Sequence, residues 1–155
     1  MVKFGLIEPA TASYAAATVL PVKKDTDGNY TDRRMCRDYR MLNLKTEQDR
    51  YPVPIPEDIF DRIEGCRYFT IMDMHQGFNQ IEMRHEDKEN TAFWASNRRW
   101  QWTVMPFGLN YAGACFQRVM DDALAHHPNP KCYIDDVLIY STTFEQHVAY
   151  MLSIA

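Results

Sequence analysis

Hydrophobic residues recur along this 155-residue chain in short runs that are separated by turn-forming residues. Apolar runs of about four to eight residues are typical of β-strands, whereas apolar residues three and four positions apart are typical of helices. Both patterns occur in this chain. The segments that we predict to be strands are 16–22, 33–39, 68–72, 80–83, 91–95, 100–105 and 137–140.

Three further segments have helical periodicity. The first begins at Pro56, which suits the first turn of a helix, and ends at Gly65. The second follows Asn110, a candidate N-cap, and runs to about Ala125, and the third begins near Thr143. The apolar stripes that these helices are predicted to bury consist of Ile59, Phe60, Ile63, Ala114, Phe116, Val119, Met120, Ala123, Val148, Met151 and Leu152.

Short turns join most of the predicted strands, so hairpins dominate the order of elements. This order favours an α+β fold, with an antiparallel sheet backed by helices, over a doubly wound parallel sheet. The length allows one compact core, or one core with a small appendage. The hydrophobic content of 46% indicates a globular chain rather than a disordered one.

The four cysteines, Cys36, Cys66, Cys115 and Cys132, are far apart and have no spacing typical of a zinc site. Three of them lie in apolar runs, which predicts buried free thiols and fits a reducing, intracellular compartment. We expect no signal peptide, and no apolar stretch approaches the roughly 20 residues of a membrane span.

The net charge of −4 does not indicate a nucleic-acid binder, but basic residues are unevenly distributed. Between residues 23 and 45 there are seven basic and four acidic residues, and this stretch contains the turn and the second strand of the hairpin predicted from 16–22 and 33–39. Lys23 or Lys24 and Arg34 could hold a triphosphate, because arginine and lysine both bind phosphate well. Ion pairing with nearby aspartates explains the same residues equally well.

Adjacent carboxylates at Asp135 and Asp136 form the strongest chemical signal. They lie at the tip of a predicted hairpin, directly before the apolar strand 137–140, and Asp73 follows the apolar run 68–72. Like charges this close repel each other unless a cation lies between them. If the two strands are neighbours, the three carboxylates converge, and two metal ions about 3.5–4 Å apart need bridging carboxylates of this kind. A simple polar turn is the alternative for the acidic pair.

The motifs, taken in order, resemble the fingers and palm of a reverse transcriptase, most closely those of Gypsy-type LTR retrotransposons. The resemblance extends over nearly the whole chain. The segments that carry it are 34–43, 49–54, 69–78, 91–93, 104–109, Phe116-Gln117 and Tyr133-Ile134-Asp135-Asp136.

This resemblance implies an RNA-directed DNA polymerase that adds deoxynucleoside triphosphates to a primer on an RNA or DNA template. It implies that two Mg²⁺ ions, with Mn²⁺ as a substitute, are held by the three aspartates. The residues that it places at the incoming nucleotide are Lys23 or Lys24, Arg34, Phe78 and Gly108. Those that it places near the primer and template are Tyr133, Ile134 and Phe107. Core packing is the alternative role of Phe78.

The resemblance also implies a single partial domain. Residues of about 1–66 and 84–109 would be fingers-like, and about 67–83 and 110–155 palm-like. We expect thumb, connection and RNase H parts to be missing here, and the natural context to be a longer polyprotein that also carries an integrase. Two alternatives remain: a catalytically inactive remnant or domesticated module that binds nucleic acid or protein, and, more weakly, another metal-dependent nucleotidyl enzyme such as a cyclase.

Overall fold

The computed structural model describes residues 1–22, 24, 26–29, 36–127 and 129–154. The chain divides into two compact units. Unit 1 comprises Met1–Gln48 and Phe78–Ala112, and unit 2 comprises Asp49–Gly77 and Gly113–Ala155.

Short strands and helices alternate along the described residues. The strands are β1 (Ile7–Pro9), β2 (Thr18–Val19), β3 (Cys36–Arg37), β4 (Tyr68–Asp73), β5 (Phe93–Ala95), β6 (Arg98–Trp102), β7 (Lys131–Tyr133) and β8 (Asp136–Ser141). The α-helices are α1 (Arg40–Asn43), α2 (Pro56–Ile63), α3 (Ala112–Leu124) and α4 (Phe144–Ile154). Segments of 3₁₀-helix are Val2–Phe4, Gly77–Gln80 and His85–Thr91.

Unit 1 contains an antiparallel three-stranded sheet in the order β1-β6-β5 and an antiparallel pair of β2 with β3. A two-residue turn at Ser96 and Asn97 joins β5 to β6, and both residues have positive φ, as tight hairpin turns require. The ring of Phe93 is fully buried, and the guanidinium of Arg37 lies 4.1 Å from its centroid. Tyr39 is also buried, and its hydroxyl donates a 2.9 Å hydrogen bond to the Thr91 carbonyl.

Unit 2 contains an antiparallel sheet in the order β4-β8-β7. Val137 and Ile139 of β8 are buried on its inner face. Helix α4 packs on β8 and β4, where His147 makes hydrogen bonds of 2.8 Å with Thr70 Oγ1 and 3.1 Å with Ser141 Oγ. A buried polar side chain therefore joins this helix to two strands.

Antiparallel sheets together with helices confirm the predicted α+β class. Strands or helices form in most of the segments predicted for them, although β2 and β3 are shorter in the described residues than the predicted hairpin. The predicted strand at 80–83 is wrong. Gln80 instead closes a 3₁₀-helix, and the Ile81 amide donates to the Phe78 carbonyl. Pairing is reduced to one antiparallel bridge from Glu82 to Val104, in which the Met83 amide donates to the Thr103 carbonyl and the Met105 amide to the Ile81 carbonyl.

Asn110 does not cap α3, contrary to prediction. Its side-chain amide donates instead to the backbone carbonyls of Asn43 and Thr46, at 3.2 and 3.5 Å. The helix begins two residues later, at Ala112. The Asn110 side chain is therefore held by carbonyls that are distant in sequence and not by the first turn of α3.

The apolar stripes predicted for the three helices are wrong in part. Phe60 of α2 is 64% exposed and Val119 of α3 is 43% exposed. On α4, Val148 and Leu152 are 39% and 74% exposed. The side chains that these helices bury include the polar Gln117 and His147, each of which has hydrogen-bond partners in unit 2. These hydrogen bonds offset the free-energy cost of burying a polar side chain. A pattern of hydrophobic residues does not reveal buried polar side chains of this kind.

The prediction of buried thiols holds for one cysteine. Cys132 is buried, Cys66 and Cys115 are partly exposed, and Cys36 is exposed on β3. Cys36 stands in a basic stretch of sequence, with Arg34 and Arg37 close by, so no apolar run surrounds it. Within the described residues, none of the helices combines the length and apolar character needed to cross a bilayer.

Gly77 packs too closely against Phe116 to accept a side chain. A β-carbon at this position would lie 2.9 Å from Cζ of the buried Phe116 ring. We predict that Gly77→Ala lowers the free energy of unfolding by about 1–3 kcal/mol, the usual cost of overpacking. Urea denaturation measures this change. Gly113→Ala is the control, because a β-carbon there meets nothing within 4 Å, and an equal loss in both variants would contradict the packing argument.

Cys132 should resist alkylation in the folded protein. Burial, together with the nearby carboxylates of Asp121, Asp135 and Asp136, raises the pKa of its thiol to about 12. At pH 8 the folded protein therefore holds it as the unreactive thiol. We expect iodoacetamide to modify the exposed Cys36 first and Cys132 only after unfolding, as peptide mass spectrometry would show. Equal labelling rates in the native state would contradict this expectation.

Candidate active site

The register of the unit 2 sheet places two predicted site residues directly opposite each other. Asp73 ends β4, Asp136 begins β8, and their Cα atoms are partners in the antiparallel ladder. Both side chains are exposed. Asp135 lies in the two-residue loop that joins β7 to β8, and its carbonyl accepts a 3.0 Å hydrogen bond from the Met74 amide. The loop is therefore attached to the end of the neighbouring strand.

Alternation along the strands explains why the two opposed carboxylates face solvent. Side chains of successive strand residues point to opposite faces. Val137 is buried on the inner face, so Asp136 beside it lies on the outer face together with its partner Asp73. The hydrophobic pattern of β8 thus positions the charged end of the sheet.

The donor set at this edge suits a hard divalent cation, since carboxylate oxygens are the ligands that Mg²⁺ and Mn²⁺ prefer. The register brings Asp73 and Asp136 side by side, and Asp135 is adjacent in the chain. Among the residues that the structure describes, no three His, Cys, Asp or Glu side chains form a ready-made metal cluster. The donor chemistry fits a metal, and binding by all three aspartates stays a prediction.

The loop that carries Asp135 is strained at Ile134. This residue has a φ of 57°, the left-handed region that tight hairpin turns need at their first loop position and that glycine normally occupies. For a β-branched residue such a conformation is an outlier. Strain of this kind costs about 1–3 kcal/mol and persists only where the surrounding structure holds it in place.

Hydrogen bonds from both sides hold the strained loop. The buried Gln117 on α3 accepts a 2.9 Å hydrogen bond from the Ile134 amide and donates a 3.0 Å bond to the Cys132 carbonyl. The Cys132 thiol donates to the Ile134 carbonyl at 2.8 Å. Both polar backbone groups of Ile134 are therefore bonded to side chains.

A second set of contacts extends from this loop to the segment before α2. Gln117 also donates to Asp121 Oδ1 at 2.9 Å, and the Tyr51 hydroxyl donates to Asp121 Oδ2 at 2.8 Å. This bond to Asp121 raises the pKa of Tyr51. Arg118 pairs with Asp49 and lies over the Tyr51 ring.

Sequence patterns assign no role to Gln117, although the Phe116-Gln117 pair is one of the segments that carry the family resemblance. A polar residue inside an apolar helical stripe, four positions before Asp121, was the available signal. Its partners at the loop lie 15 and 17 residues further along the chain, and periodicity cannot reveal them.

An apolar cavity of about 220 Å³ lies on the outer face of the same sheet, next to Asp136. Tyr133, which was predicted to lie near primer and template, is one of its walls and is 40% exposed. The remaining lining residues are Ile59, Phe60, Ile71, Lys131 and Leu138. Phe60 and Ile71 remain 64% and 70% exposed at this cavity.

Unit 1 brings together three of the other predicted site residues. Phe78 and Phe107 meet edge to face, with ring centroids 5.1 Å apart. Gly108 follows with a φ of 97°, which only glycine adopts without strain. A β-carbon there would lie 3.6 Å from the Tyr39 ring, so backbone conformation and not crowding explains the glycine.

Of the predicted basic cluster Lys23, Lys24 and Arg34, the structure describes Lys24. Lys24 is exposed. Lys23 and Arg34 lie outside the described residues, so their predicted contacts with a triphosphate stay predictions.

Comparison with known proteins identifies the family. The family described as "Reverse transcriptase (RNA-dependent DNA polymerase)" matches residues 22–155. The retrovirus-related Pol polyproteins from transposons 297 and gypsy of Drosophila melanogaster are 40% and 36% identical to this chain, covering 96% and 97% of it. The chain spans only 14% and 15% of the length of these relatives.

Solved structures share the fold. The foamy viral protease-reverse transcriptase in complex with RNA/DNA hybrid matches 99% of the chain with a TM-score of 0.84 at 22% identity, and the match covers 20% of that protein. A selenomethionine-labelled mutant of the prototype foamy virus enzyme gives a TM-score of 0.79 at 25% identity, with the same coverage of both chains.

These findings confirm the resemblance to Gypsy-type elements and the predicted fold class. Reverse transcriptases depend on divalent metal ions in general. With the family match extending over most of its length, this chain belongs to the reverse transcriptase (RNA-dependent DNA polymerase) family.

Proposed function

We propose that this chain is the fingers and palm part of an RNA-directed DNA polymerase, which transfers a nucleotidyl group from a deoxynucleoside triphosphate to a primer 3′-hydroxyl. The observation that carries the proposal is the pairing of Asp73 with Asp136 on the exposed face of the unit 2 sheet, beside the loop that holds Asp135. Carboxylates from two neighbouring strands are what a two-metal phosphoryl-transfer site needs.

Asp73, Asp135 and Asp136 would hold two Mg²⁺ ions, or Mn²⁺ in their place. Such ions, when bound, favour ionisation of the 3′-hydroxyl and stabilise the pyrophosphate that leaves. The contribution of the chain is to present carboxylates from β4 and β8 on one face and to hold the loop between β7 and β8 in a single conformation.

The nucleotide would be bound by basic and aromatic side chains. Lys23 or Lys24 and Arg34 would contact its triphosphate, since lysine supplies a point charge and arginine a pair of parallel hydrogen bonds. Phe78 would lie under the sugar and exclude a 2′-hydroxyl, and its edge-to-face contact with Phe107 supports a fixed ring orientation.

The primer and template would lie near Tyr133, Ile134 and Phe107. The exposure of Tyr133 and Phe107, 40% and 56%, supports roles in contacting a ligand. A relative of the same fold was solved with an RNA/DNA hybrid, which supports a primed template as the partner. The division into fingers-like residues, about 1–66 and 84–109, and palm-like residues, about 67–83 and 110–155, stays part of this proposal.

The proposal predicts that Asp136 binds metal and supports primer extension. In Asp136→Asn, we expect Mn²⁺ affinity and extension of a primed RNA template each to fall by about 100-fold or more, because even partners one shell further from a metal contribute about 10–100-fold. Electron paramagnetic resonance of Mn²⁺ and gel-resolved extension measure the two effects. Asp122→Asn is the matched control, an exposed aspartate on α3, and should change neither.

Unchanged Mn²⁺ binding and unchanged extension in Asp136→Asn would contradict the assignment. RNA binding that weakens steeply with added salt, without any extension by the unaltered chain, would instead support the alternative of a non-catalytic nucleic-acid-binding module.

A further inference from the structure

We infer that Gln117 is a positioning residue that holds the loop between β7 and β8 in the conformation that presents Asp135 and Asp136. The inference rests on the proposed function, because it assigns a role to Gln117 in the same site. Gln117 lies on α3 and would touch neither metal nor substrate. Its effect would pass through the backbone of the loop.

The amide of Gln117 makes three hydrogen bonds, and its orientation is determined by its partners. Its oxygen can only accept, and it receives the Ile134 N–H at 2.9 Å. Its nitrogen can only donate, and its two protons go to the Cys132 carbonyl at 3.0 Å and Asp121 Oδ1 at 2.9 Å. Reversing the amide would place donor against donor and acceptor against acceptor, so one rotamer alone satisfies every group.

Both sides of the loop are bound by this single side chain. Cys132 lies in β7 before the loop, and Ile134 is its first residue, so the two bonds span the point where the chain reverses. Ile134 has a φ of 57°, which a β-branched residue does not adopt by preference. Without the amide, rotation about Ile134 would relieve the strain and reorient the next residue, Asp135.

The other end of the Gln117 amide is also fixed. Asp121 accepts from Gln117 and from the Tyr51 hydroxyl, which leaves its carboxylate little freedom to rotate. Gln117 has none of its surface exposed, so water cannot replace the lost bonds unless the packing opens. A side chain that is buried and bonded at all three sites is a precise and rigid support for a metal-binding loop.

Hydrogen exchange in the unaltered chain gives the first test. The Ile134 amide has Gln117 as its acceptor, so we expect it to be protected far beyond a free turn amide, as nuclear magnetic resonance would show. Exchange at the rate of an unbonded loop amide would overturn the inference without any substitution.

Substitution gives the second test. Gln117→Met keeps the length of the side chain and removes all three bonds. We expect Ile134 exchange to become at least about tenfold faster and the Mn²⁺ dissociation constant to rise by about tenfold, the lower end of the effect of a supporting residue on metal affinity.

Two controls separate positioning from simple loss of stability. Thr70→Val removes a hydrogen bond to His147 in the same unit and leaves the loop between β7 and β8 untouched, so it should lower the melting temperature without weakening Mn²⁺ binding. Gln146→Met makes the same chemical change at an exposed position of α4 and should alter neither property.

If Gln117→Met weakens Mn²⁺ binding no more than Thr70→Val does, Gln117 has only a structural role and the inference is overturned. If the unaltered chain binds no Mn²⁺, the proposed function fails. Hydrogen exchange of the Ile134 amide, compared between the unaltered chain and Gln117→Met, would still decide whether the Gln117 side chain holds the loop.

Discussion

The antiparallel register between β4 and β8 is the constraint on which the candidate site depends. It pairs Asp73 with Asp136 and places Val137 and Ile139 in the core. A slip of one residue would reverse every side chain of β8, exposing two buried apolar groups and directing a carboxylate inward. The hydrophobic effect on one face of the strand therefore fixes the position of the charges on the other.

Stability and the proposed function conflict at the loop between β7 and β8. Two adjacent carboxylates repel each other, and Ile134 occupies a conformation that costs about 1–3 kcal/mol. The surrounding structure compensates with hydrogen bonds from Gln117, Cys132 and the Met74 amide. Each such bond contributes on the order of 1 kcal/mol, so several together are needed to outweigh the strain.

Sequence patterns predicted the elements whose apolar residues carry a strong signal. Strands β4 and β8 and helix α2 lie where expected, since their hydrophobic runs and the proline at position 56 act locally. The opposition of Asp73 and Asp136 was also expected if the two strands were neighbours. Buried polar side chains escaped prediction because their partners are remote: Gln117 bonds to a loop 17 residues away, and His147 to a threonine 77 residues away.

One side-chain amide fixes a loop of positive φ in each unit, but the two cases differ in energy. In unit 1, Asn43 donates to the Gly108 carbonyl at 2.8 Å and accepts from the Asn110 amide at 3.0 Å. Gly108 adopts its φ of 97° without strain, so Asn43 has only to orient the loop that contains Gly108. In unit 2 the residue is isoleucine, and the amide must also offset strain. The conformation of Ile134 thus depends on its buried partners Gln117 and Cys132, whereas a glycine at this position would adopt the same φ without their support.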